Sequence, residues 1–241
     1  MKRFIDIFIS VIGLSFMAPI LVIFIILIYL EDRHSPFYIA KRVGKNGLVF
    51  KMIKLRSMVV NAEKNGVDST SLNDYRITNI GKKVRKYKLD EFTQLWNVLL
   101  GEMSLVGPRP NVLRDTNLYT ESEKKLLLVK PGITDFSSII FSDEGNILKD
   151  SKDPNLDYNQ LIRPWKSRLG LIYIENQSTF VDLKIIIFTI ISIFSKKNAN
   201  KLVVSQLEKI NVDPKVIQVS ARVNKLYPYP PPGSDKVIIE R

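Results

Sequence analysis

The stretch FIDIFISVIGLSFMAPILVIFIILIYL, residues 4–30, decides how the rest of the chain is placed. Asp6 is its only charged residue. A straight helix of this length, at ~1.5 Å per residue, would cross a bilayer core of ~30 Å. A cleaved signal peptide fits less well, because the apolar run is too long and Glu31 and Asp32 follow it instead of a small-residue cleavage site. The stretch therefore predicts a helix embedded in a membrane.

Two features of this stretch argue against a straight span. Pro19 lies near its middle, where the missing N–H and the ring's clash with the carbonyl of Ser15 should kink or break the helix. The Ser15 hydroxyl could satisfy backbone groups freed there. A helix-break-helix that enters and leaves through one leaflet is as consistent with the residues as a straight span. Basic residues flank both ends and favour the cytoplasmic side for each: Lys2, Arg3, Arg33, Lys41 and Arg42.

Composition limits the chemistry that the chain can perform. Its 241 residues, 45% of them hydrophobic, suit one large domain or two small ones with a core. Because there is no cysteine, thiol nucleophiles, disulfides and Cys-ligated metals are excluded. His34 is the only histidine and so the only candidate base for a Ser-His-Asp triad. Carboxylates, hydroxyls, lysine, arginine and a hard metal ion remain.

The net charge of +12 is concentrated in two segments. Residues 41–58 and 76–88 each contain six basic residues and no acidic one. Such clusters attract nucleic acid, anionic lipid or a phosphorylated substrate. The apolar N-terminus and the absence of a recognised nucleic-acid motif in the sequence argue for lipid or phosphate and against nucleic acid as a partner.

The pattern beyond residue 33 predicts short strands followed by helices. Residues 37–43 and 48–53 flank a turn that contains Asn46-Gly47, which is a strong hairpin signal. Residues 61–81 are polar and predict a loop with at most one helical turn. Apolar residues at three- and four-residue steps predict a helix over 92–99, ended by Gly101.

Further helices are predicted in the second half of the chain. Residues 120–123 have capping-box spacing and begin a helix that ends before Lys130, and a polar loop at 143–155 precedes a helix over 159–174. The apolar residues after Lys184 are too few to cross a bilayer, so 180–194 predicts a helix in the interface or the core. The chain ends in a proline-rich tail.

Asp90 and Glu91 lie at the start of the helix predicted from Phe92. The ordinary interpretation is an N-cap aspartate and a first-turn glutamate that complement the helix dipole. The functional interpretation is that the helix terminus and the nearby cations keep a carboxylate ionised, ready to attack phosphorus or hold a metal ion. One residue can do both.

Three basic residues near this pair are candidates for phosphate contacts. Arg109 lies between Pro108 and Pro110, which hold it in a rigid, extended presentation suited to gripping a phosphate or a base. Lys54 and Arg56 are two residues apart and so lie on one face of a continuing strand. A solvated basic face explains Lys54 and Arg56 equally well.

The ordered motifs resemble the bacterial sugar transferase family, the monotopic phosphoglycosyl transferases that begin lipid-linked glycan assembly. The resemblance covers roughly residues 1–195. Besides the proline-broken apolar helix, its motifs are residues 42–47, 54–58, 89–91, 94–99, 103–110, 130–134, 173–176 and 182–184. The resemblance implies an α+β fold with a re-entrant helix-break-helix at 1–32. A small, mixed, mainly helical catalytic domain at 33–195 then lies on the cytoplasmic face of the bacterial inner membrane, with amphipathic helices in the interface. Residues 196–241 form an unmatched extension.

The resemblance also implies a reaction and roles for particular residues. A sugar phosphate passes from a UDP-sugar to undecaprenyl (polyprenyl) phosphate, as the first membrane step of polysaccharide or glycoconjugate synthesis. Asp90 is implied as the nucleophile that forms an aspartyl phospho-sugar, and Glu91 with Asp90 as the holder of Mg²⁺. A homo-oligomer is left open. The implied substrate contacts are Lys54, Arg56, Arg76, Arg85, Pro108, Arg109 and Pro110.

The sequence departs from the family pattern at three positions. Ala18 stands where many members have serine before the proline, which affects hydrogen bonding at the break. Tyr75 replaces a common proline, and Asp135 stands where glycine is usual, so we expect different loop geometry and a different sugar preference. The competing hypothesis is a non-enzymatic scaffold whose basic surface binds anionic lipid and needs only its charge.

Overall fold

The first element is a long, largely uncovered helix. The computed structural model describes residues 1–62 and 74–239, and α1 (Lys2–Asp32) opens the chain. This helix is long and apolar enough to cross a membrane. Only 11% of its most apolar part is buried against the rest of the chain. Pro19 lies inside it, so these residues form one continuous helix and not two helices separated by a gap. Arg33 ends the helix in the left-handed conformation, with φ 62°.

A β-hairpin follows α1, as the Asn-Gly signal predicted. Strands β1 (Phe37–Val43) and β2 (Val49–Leu55) are antiparallel. A 3-10 turn joins them, in which Asn46 and Gly47 both have positive φ, 57° and 78°. Strand β2 extends two residues further than predicted, so Lys54 belongs to the strand.

Three short helices lie among the described residues between β2 and β3 (Ser104–Val106), where one helix was predicted after a polar loop. Helix α2 (Asn79–Lys86) was not predicted; Thr78 caps it by accepting a hydrogen bond from the Gly81 N–H. Residues 63–73 of the predicted loop lie outside the described residues. The helix predicted over 92–99 is divided into α3 (Leu89–Phe92) and α4 (Leu95–Leu100). Gly101 ends α4 at φ 85°, as predicted.

The second half of the chain is mainly helical around one parallel strand pair. Strand β3 (Ser104–Val106) pairs with β4 (Gly132–Thr134). The capping box at Thr120 and Glu123 is confirmed, and the predicted polar loop at 143–155 contains one short helix. A π-helical turn is present at Tyr158–Ile162. The helices are α5 (Leu113–Thr116), α6 (Glu121–Lys124), α7 (Phe136–Ile140), α8 (Glu144–Ile147), α9 (Pro154–Asp157), α10 (Arg163–Asn176), α11 (Thr179–Phe194), α12 (Lys196–Lys209) and α13 (Pro214–Ser220).

The main core surrounds α10. Trp165 and Tyr173 on this helix are among the largest fully buried side chains. The predicted C-terminal extension contributes to the same core, because Val203 and Leu207 of α12 are completely buried in it. The proline-rich tail also packs here: the Tyr229 ring stacks on Trp165 with centroids 4.4 Å apart. The fold is therefore mixed helix and strand, mostly helical, as predicted.

Both ends of α1 are fixed to this domain. At its start, the Lys2 ammonium lies 2.7 Å from an Asp182 carboxylate oxygen and donates to the Val106 carbonyl at 3.0 Å. At its end, Asp32 accepts hydrogen bonds from both terminal nitrogens of Arg56. These contacts hold the helix against β3 at one end and against the end of β2 at the other. The residues that follow β3 and those within β2 form the candidate site.

Candidate active site

Asp90 and Lys54 face each other across the junction of α3 and β2. Asp90 is the second residue of α3, whose N-cap is Lys88, so it is a first-turn residue and not the cap. The Lys54 ammonium on β2 lies 3.8 Å from an Asp90 carboxylate oxygen. The Thr93 hydroxyl makes 3.0 Å contacts with the carbonyls of both Ile53 and Asp90. This hydroxyl ties the short helix to the strand and so fixes the ammonium beside the carboxylate.

Glu91 forms a second ion pair beside the first. A terminal nitrogen of Arg109 lies 3.1 Å from a Glu91 carboxylate oxygen, and the other donates to the Ile133 carbonyl at 3.1 Å. Two segments of the backbone approach closely beside the loop that carries Arg109: a Cβ on Gly132 would lie 2.1 Å from the Gly107 nitrogen. The predicted rigid presentation of Arg109 between prolines therefore rests also on the β3–β4 pair.

The surroundings of the two adjacent carboxylates shift their pKa values in opposite directions. Burial raises the pKa of Asp90, and this effect, with a smaller contribution from Glu91, exceeds the opposing charge of Lys54. Burial would also raise the pKa of Glu91, but the charges of Arg109, Lys88 and Lys54 together outweigh it, so the pKa of Glu91 is lowered. Burial lowers the pKa of Lys54 to about 8. The prediction that a helix terminus keeps Asp90 ionised is thus modified: Asp90 is the more basic carboxylate, and Glu91 the permanent anion.

The other predicted phosphate contacts are held by partners of their own. Arg85 donates to the Ser57 hydroxyl at 2.9 Å. Arg56, besides its pair with Asp32, donates to the Ser35 carbonyl at 2.7 Å. The structure therefore gives Arg56 a structural contact with α1, which the sequence did not suggest.

Arg76 forms a fork-like pair with Asp74, with nitrogen to oxygen distances of 2.9 and 2.6 Å. Both side chains are buried. Tyr75 between them is 83% exposed, so the residue that replaces the usual proline leaves the pair in place. Asp135, the other departure, is buried and caps α7 by accepting from the Ser138 N–H at 2.7 Å.

Two cavities meet at Lys54. The larger, of about 560 Å³, is bordered by Asp90 and by the side chains of Arg56, Arg76 and Arg85. The smaller, of about 180 Å³, is bordered by Pro108, Arg109 and Pro110. All the predicted site residues of the domain except Glu91 thus line one cavity or both. Ser15, Ala18 and Pro19 lie apart from them, on exposed parts of α1.

Sequence reasoning missed an ion pair in the smaller cavity. Lys166 on α10 and Glu144 on α8 pair with each other there. Burial alone would lower the pKa of Lys166, but Glu144 raises it. The only signal was a lysine within a helix that was otherwise interpreted as core. A second missed pair, Glu123 with Arg163, is completely buried behind this cavity.

The carboxylates are suited to Mg²⁺ and not to a cation held by protein ligands alone. Within residues 1–62 and 74–239, no three acidic or histidine side chains converge as a metal cluster. Mg²⁺ typically uses one or two carboxylates and completes its shell with water and substrate phosphate oxygens. Asp90 and Glu91, side by side at the edge of a basic cavity, fit that requirement.

Comparison with known proteins identifies the family of this chain. A model of the family described as "Bacterial sugar transferase" matches residues 1–196. A Bacillus subtilis protein provisionally named undecaprenyl-phosphate N-acetylgalactosaminyl 1-phosphate transferase is 47% identical over 109 residues, which cover 45% of this chain and 61% of that protein. Galactosyl transferase CpsE of Streptococcus agalactiae is 36% identical over 200 residues, 78% of this chain and 41% of that protein.

A third relative carries both substrates in its name. The UDP-glucose:undecaprenyl-phosphate glucose-1-phosphate transferase of Klebsiella pneumoniae is 33% identical over 202 residues, which cover 82% of this chain and 41% of that protein. The chain therefore spans between 41% and 61% of the length of these three relatives. The family match itself covers most of the chain, from α1 to the start of α12. This chain belongs to the bacterial sugar transferase family.

Proposed function

We propose that this chain transfers a sugar phosphate from a UDP-sugar to undecaprenyl phosphate at the cytoplasmic face of the bacterial inner membrane, as the first membrane step of polysaccharide or glycoconjugate synthesis. The observation that carries the proposal is the position of Asp90, a basic carboxylate 3.8 Å from Lys54 at the edge of a cationic cavity. The names of the relatives support the two substrates.

In the first step, an oxygen of Asp90 attacks the β-phosphorus of the UDP-sugar. A new bond forms between that oxygen and phosphorus, while the bond from phosphorus to the bridging oxygen breaks and UMP leaves with the electron pair. The raised pKa of Asp90 favours this role, because a more basic oxygen is a better nucleophile. Lys54 and Arg109 lie where they can neutralise the phosphate oxygens as the charge redistributes.

In the second step, a phosphate oxygen of the lipid attacks the same phosphorus. The bond from phosphorus to Asp90 breaks, so the carboxylate is restored and a polyprenyl diphospho-sugar is released. No proton or external reductant is consumed in either step. Glu91 stays charged throughout and positions Arg109 through their ion pair. We infer that Asp90 and Glu91 hold Mg²⁺ together with the donor's phosphates, which supplies charge neutralisation at the diphosphate.

We also infer that α1 is re-entrant. A straight helix of 31 residues is ~46 Å long at ~1.5 Å per residue, longer than the bilayer core. If it spanned, one end would lie on the far side of the membrane. Yet Lys2 at its start and Asp32 at its end are both paired with the same domain. Both ends on one side, with Pro19 between them on an exposed face, support entry into one leaflet.

The scaffold hypothesis is not favoured by the family match, and it gives no role to Asp90. The test is a UMP-release assay with the full chain in lipid nanodiscs, undecaprenyl phosphate, Mg²⁺ and a panel of UDP-sugars. We expect one donor to release UMP, and Asp90→Asn to lower the rate by at least ~10³-fold while membrane insertion is kept. Without acceptor, the wild-type chain should release about one UMP per active site.

Asp150→Asn is the matched control, since Asp150 is exposed and lines neither cavity. It should leave the rate unchanged. Wild-type activity in Asp90→Asn would reject Asp90 as the nucleophile, and the absence of UMP release with every donor would reject the function.

A further inference from the structure

The two cavities that meet at Lys54 differ in charge. Among residues 1–62 and 74–239, the larger cavity is lined by six basic side chains and a single acidic one, Asp90. The smaller is lined by five basic and three acidic side chains, so its charge is nearly balanced. The basic residues of the larger cavity are Lys41, Arg42, Lys54, Arg56, Arg76 and Arg85. Arg56 and Arg76 are paired with Asp32 and Asp74, but even without these two the larger cavity keeps more basic than acidic lining residues, so an anion is better accommodated there.

The larger cavity also has an apolar wall that the smaller one lacks on that scale. Four of its lining side chains are large, apolar and more than a third exposed: Phe37, Tyr38, Val59 and Val60. His34 and Ser35, which directly follow α1, line it as well. The cavity therefore begins where the lipid-embedded helix ends. Its combination of a cationic floor and an apolar wall matches a phosphate attached to a hydrocarbon chain.

The smaller cavity has a more evenly mixed lining, in which apolar residues such as Met52, Leu127 and Val129 accompany the polar ones. Beside Arg109 it presents Asp115, Glu144, Lys166 and Tyr158, which together offer both hydrogen-bond donors and acceptors. Such a lining suits a neutral group rich in hydroxyls and amides, such as a nucleoside or a sugar.

The chemistry of the two steps determines which parts of the two substrates share a binding position and which need separate ones. Each displacement at phosphorus is in line, so the phosphate of departing UMP and the phosphate of the incoming lipid occupy the same side of the transferred group. The two phosphates must therefore share one position, whereas the nucleoside and the prenyl chain need separate room. Lys54, Arg42 and Val112 line both cavities, and of these Lys54 is the one that also pairs with Asp90, so it supplies the shared contact that this scheme requires.

Resting on the function proposed above, we propose that the larger cavity binds the acceptor's phosphate and the first units of its prenyl chain, and that the smaller cavity binds the nucleotide-sugar beyond its diphosphate. The substrates thus overlap at Lys54 and diverge on either side of it. We name the two sites the acceptor cavity and the donor cavity.

The test separates the two half-reactions. Exchange of labelled UMP with UDP-sugar, measured without acceptor, reports donor binding and the first step alone. The complete reaction reports the KM of undecaprenyl phosphate. Val60→Asp places a carboxylate on the wall of the acceptor cavity and should raise the acceptor KM at least ~10-fold by repulsion, with UMP exchange within ~2-fold of wild type. Lys166→Met in the donor cavity should raise the UDP-sugar KM several-fold and leave the acceptor KM unchanged.

Val49→Asp is the matched control, because Val49 is an exposed valine of the preceding hairpin and lines neither cavity. It should change neither KM. Vesicle association and melting temperature of each variant are measured alongside. Equal effects of Val60→Asp on exchange and on the acceptor KM, or the reverse pattern for the two variants, would overturn the division of substrates. If the wild-type chain shows neither exchange nor UMP release, the proposed function fails instead.

Photolabelling of the wild-type chain provides a second measurement that needs no variant. A prenyl phosphate with a diazirine near its phosphate should label residues 34–38 or 58–61, which border the acceptor cavity. Excess UMP should reduce this labelling, since the phosphate position is shared. Labelling within residues 108–119 or 144–167 would place the lipid in the donor cavity and contradict the proposal.

Discussion

Asp74 holds Arg76 in the wall of the acceptor cavity. Both side chains are buried, and three nitrogen–oxygen contacts of 2.6 to 3.1 Å join them. Burial alone would raise the pKa of Asp74, but the hydrogen bonds from Arg76 outweigh it and the pKa is lowered. A carboxylate whose pKa falls on folding contributes stability above its unfolded-state pKa and loses it as the pH falls through the folded value. The pair is therefore an acid-sensitive support for the cavity.

Asp74→Asn should destabilise the chain by about 3 kcal/mol at pH 7, because it removes the carboxylate that pairs with the buried Arg76 guanidinium. The difference from wild type should shrink as the pH falls below ~4, where Asp74 in the wild type also becomes protonated. Melting temperatures in detergent between pH 7 and pH 3 measure this. A difference that stays constant over that range would show that charge does not link the two residues. Asp150→Asn, at an exposed position, serves again as the control.

The residues of the site could be predicted only as candidates. The Pro-Arg-Pro segment and the adjacent acids are visible in the sequence, and the resemblance assigned their roles. The contact of Lys54 with Asp90 spans 36 positions and depends on the hydroxyl of Thr93, so no local pattern encodes it. Arg56 was expected to bind phosphate, yet its partner is Asp32, because the end of α1 returns to the end of β2.

Helix α11 supports the Arg109 loop through a buried polar network at its first turn. One oxygen of Asp182 accepts from the Tyr173 hydroxyl at 2.6 Å, and the other pairs with Lys2 of α1 at 2.7 Å. Lys2 also donates to the carbonyl of Val106, the last residue of β3. Side chains of α1, α10 and α11 thus meet at the end of β3, three residues before Arg109.

Asp182→Asn should lower kcat about 10-fold. The Lys2 ammonium loses its carboxylate partner, and the end of β3 before Arg109 is then held less firmly. The KM for undecaprenyl phosphate should change little, since the network lies on the donor side. Lys184→Met is the matched control: it removes a charged partner of Gln206 two residues along the same helix and should leave kcat unchanged. An acceptor KM that changes as much as kcat, or equal losses in both variants, would contradict a positioning role for Asp182. Steady-state assays with each substrate varied in turn measure both constants.

Helices and strands could be predicted where neighbouring residues determine them, and were missed or misplaced where tertiary contacts do. The hairpin was predicted because its turn is encoded by two adjacent residues with positive φ. Helix α2 was missed because its basic residues masked an apolar face of only Ile80 and Val84, which the core requires. The helix over 92–99 was correct in type, but Thr93 bonds to β2 and divides it. Tertiary contacts of this kind leave no periodic signal.

The molecule presents apolar surface that no part of the described chain covers. Helix α1 exposes a series of large apolar side chains, and α11 exposes another at helical spacing, in which Leu183 and Ile187 are four residues apart. The predicted helix over 180–194 is confirmed, and its core face is shown by the buried Ile185 and Phe188, whereas its position in a membrane interface stays a prediction. Two uncovered apolar helices next to two basic segments favour a molecule that rests on one membrane surface.

The path of α1 through the membrane decides where the site lies, and single cysteines can trace it because the chain has none of its own. One cysteine is inserted after Met1, and the others are His34→Cys, Phe16→Cys and Lys45→Cys. If α1 is re-entrant, a membrane-impermeant maleimide should label none of them in intact cells. After permeabilisation it should label all but Phe16→Cys, whose position is exposed within the apolar helix and would be shielded by lipid.

A straight span makes a different prediction, because one end of α1 would then reach the periplasm. Either the cysteine after Met1 or His34→Cys would be labelled in intact cells, and Lys45→Cys on the hairpin reports which side the domain occupies. Such a result would also require that either the Lys2–Asp182 or the Asp32–Arg56 pair be broken in the membrane, since both belong to one domain. Equal protection of both ends, with the activity of each variant retained, would instead place Asp90 and both cavities on the cytoplasmic side, where nucleotide-sugars are made available.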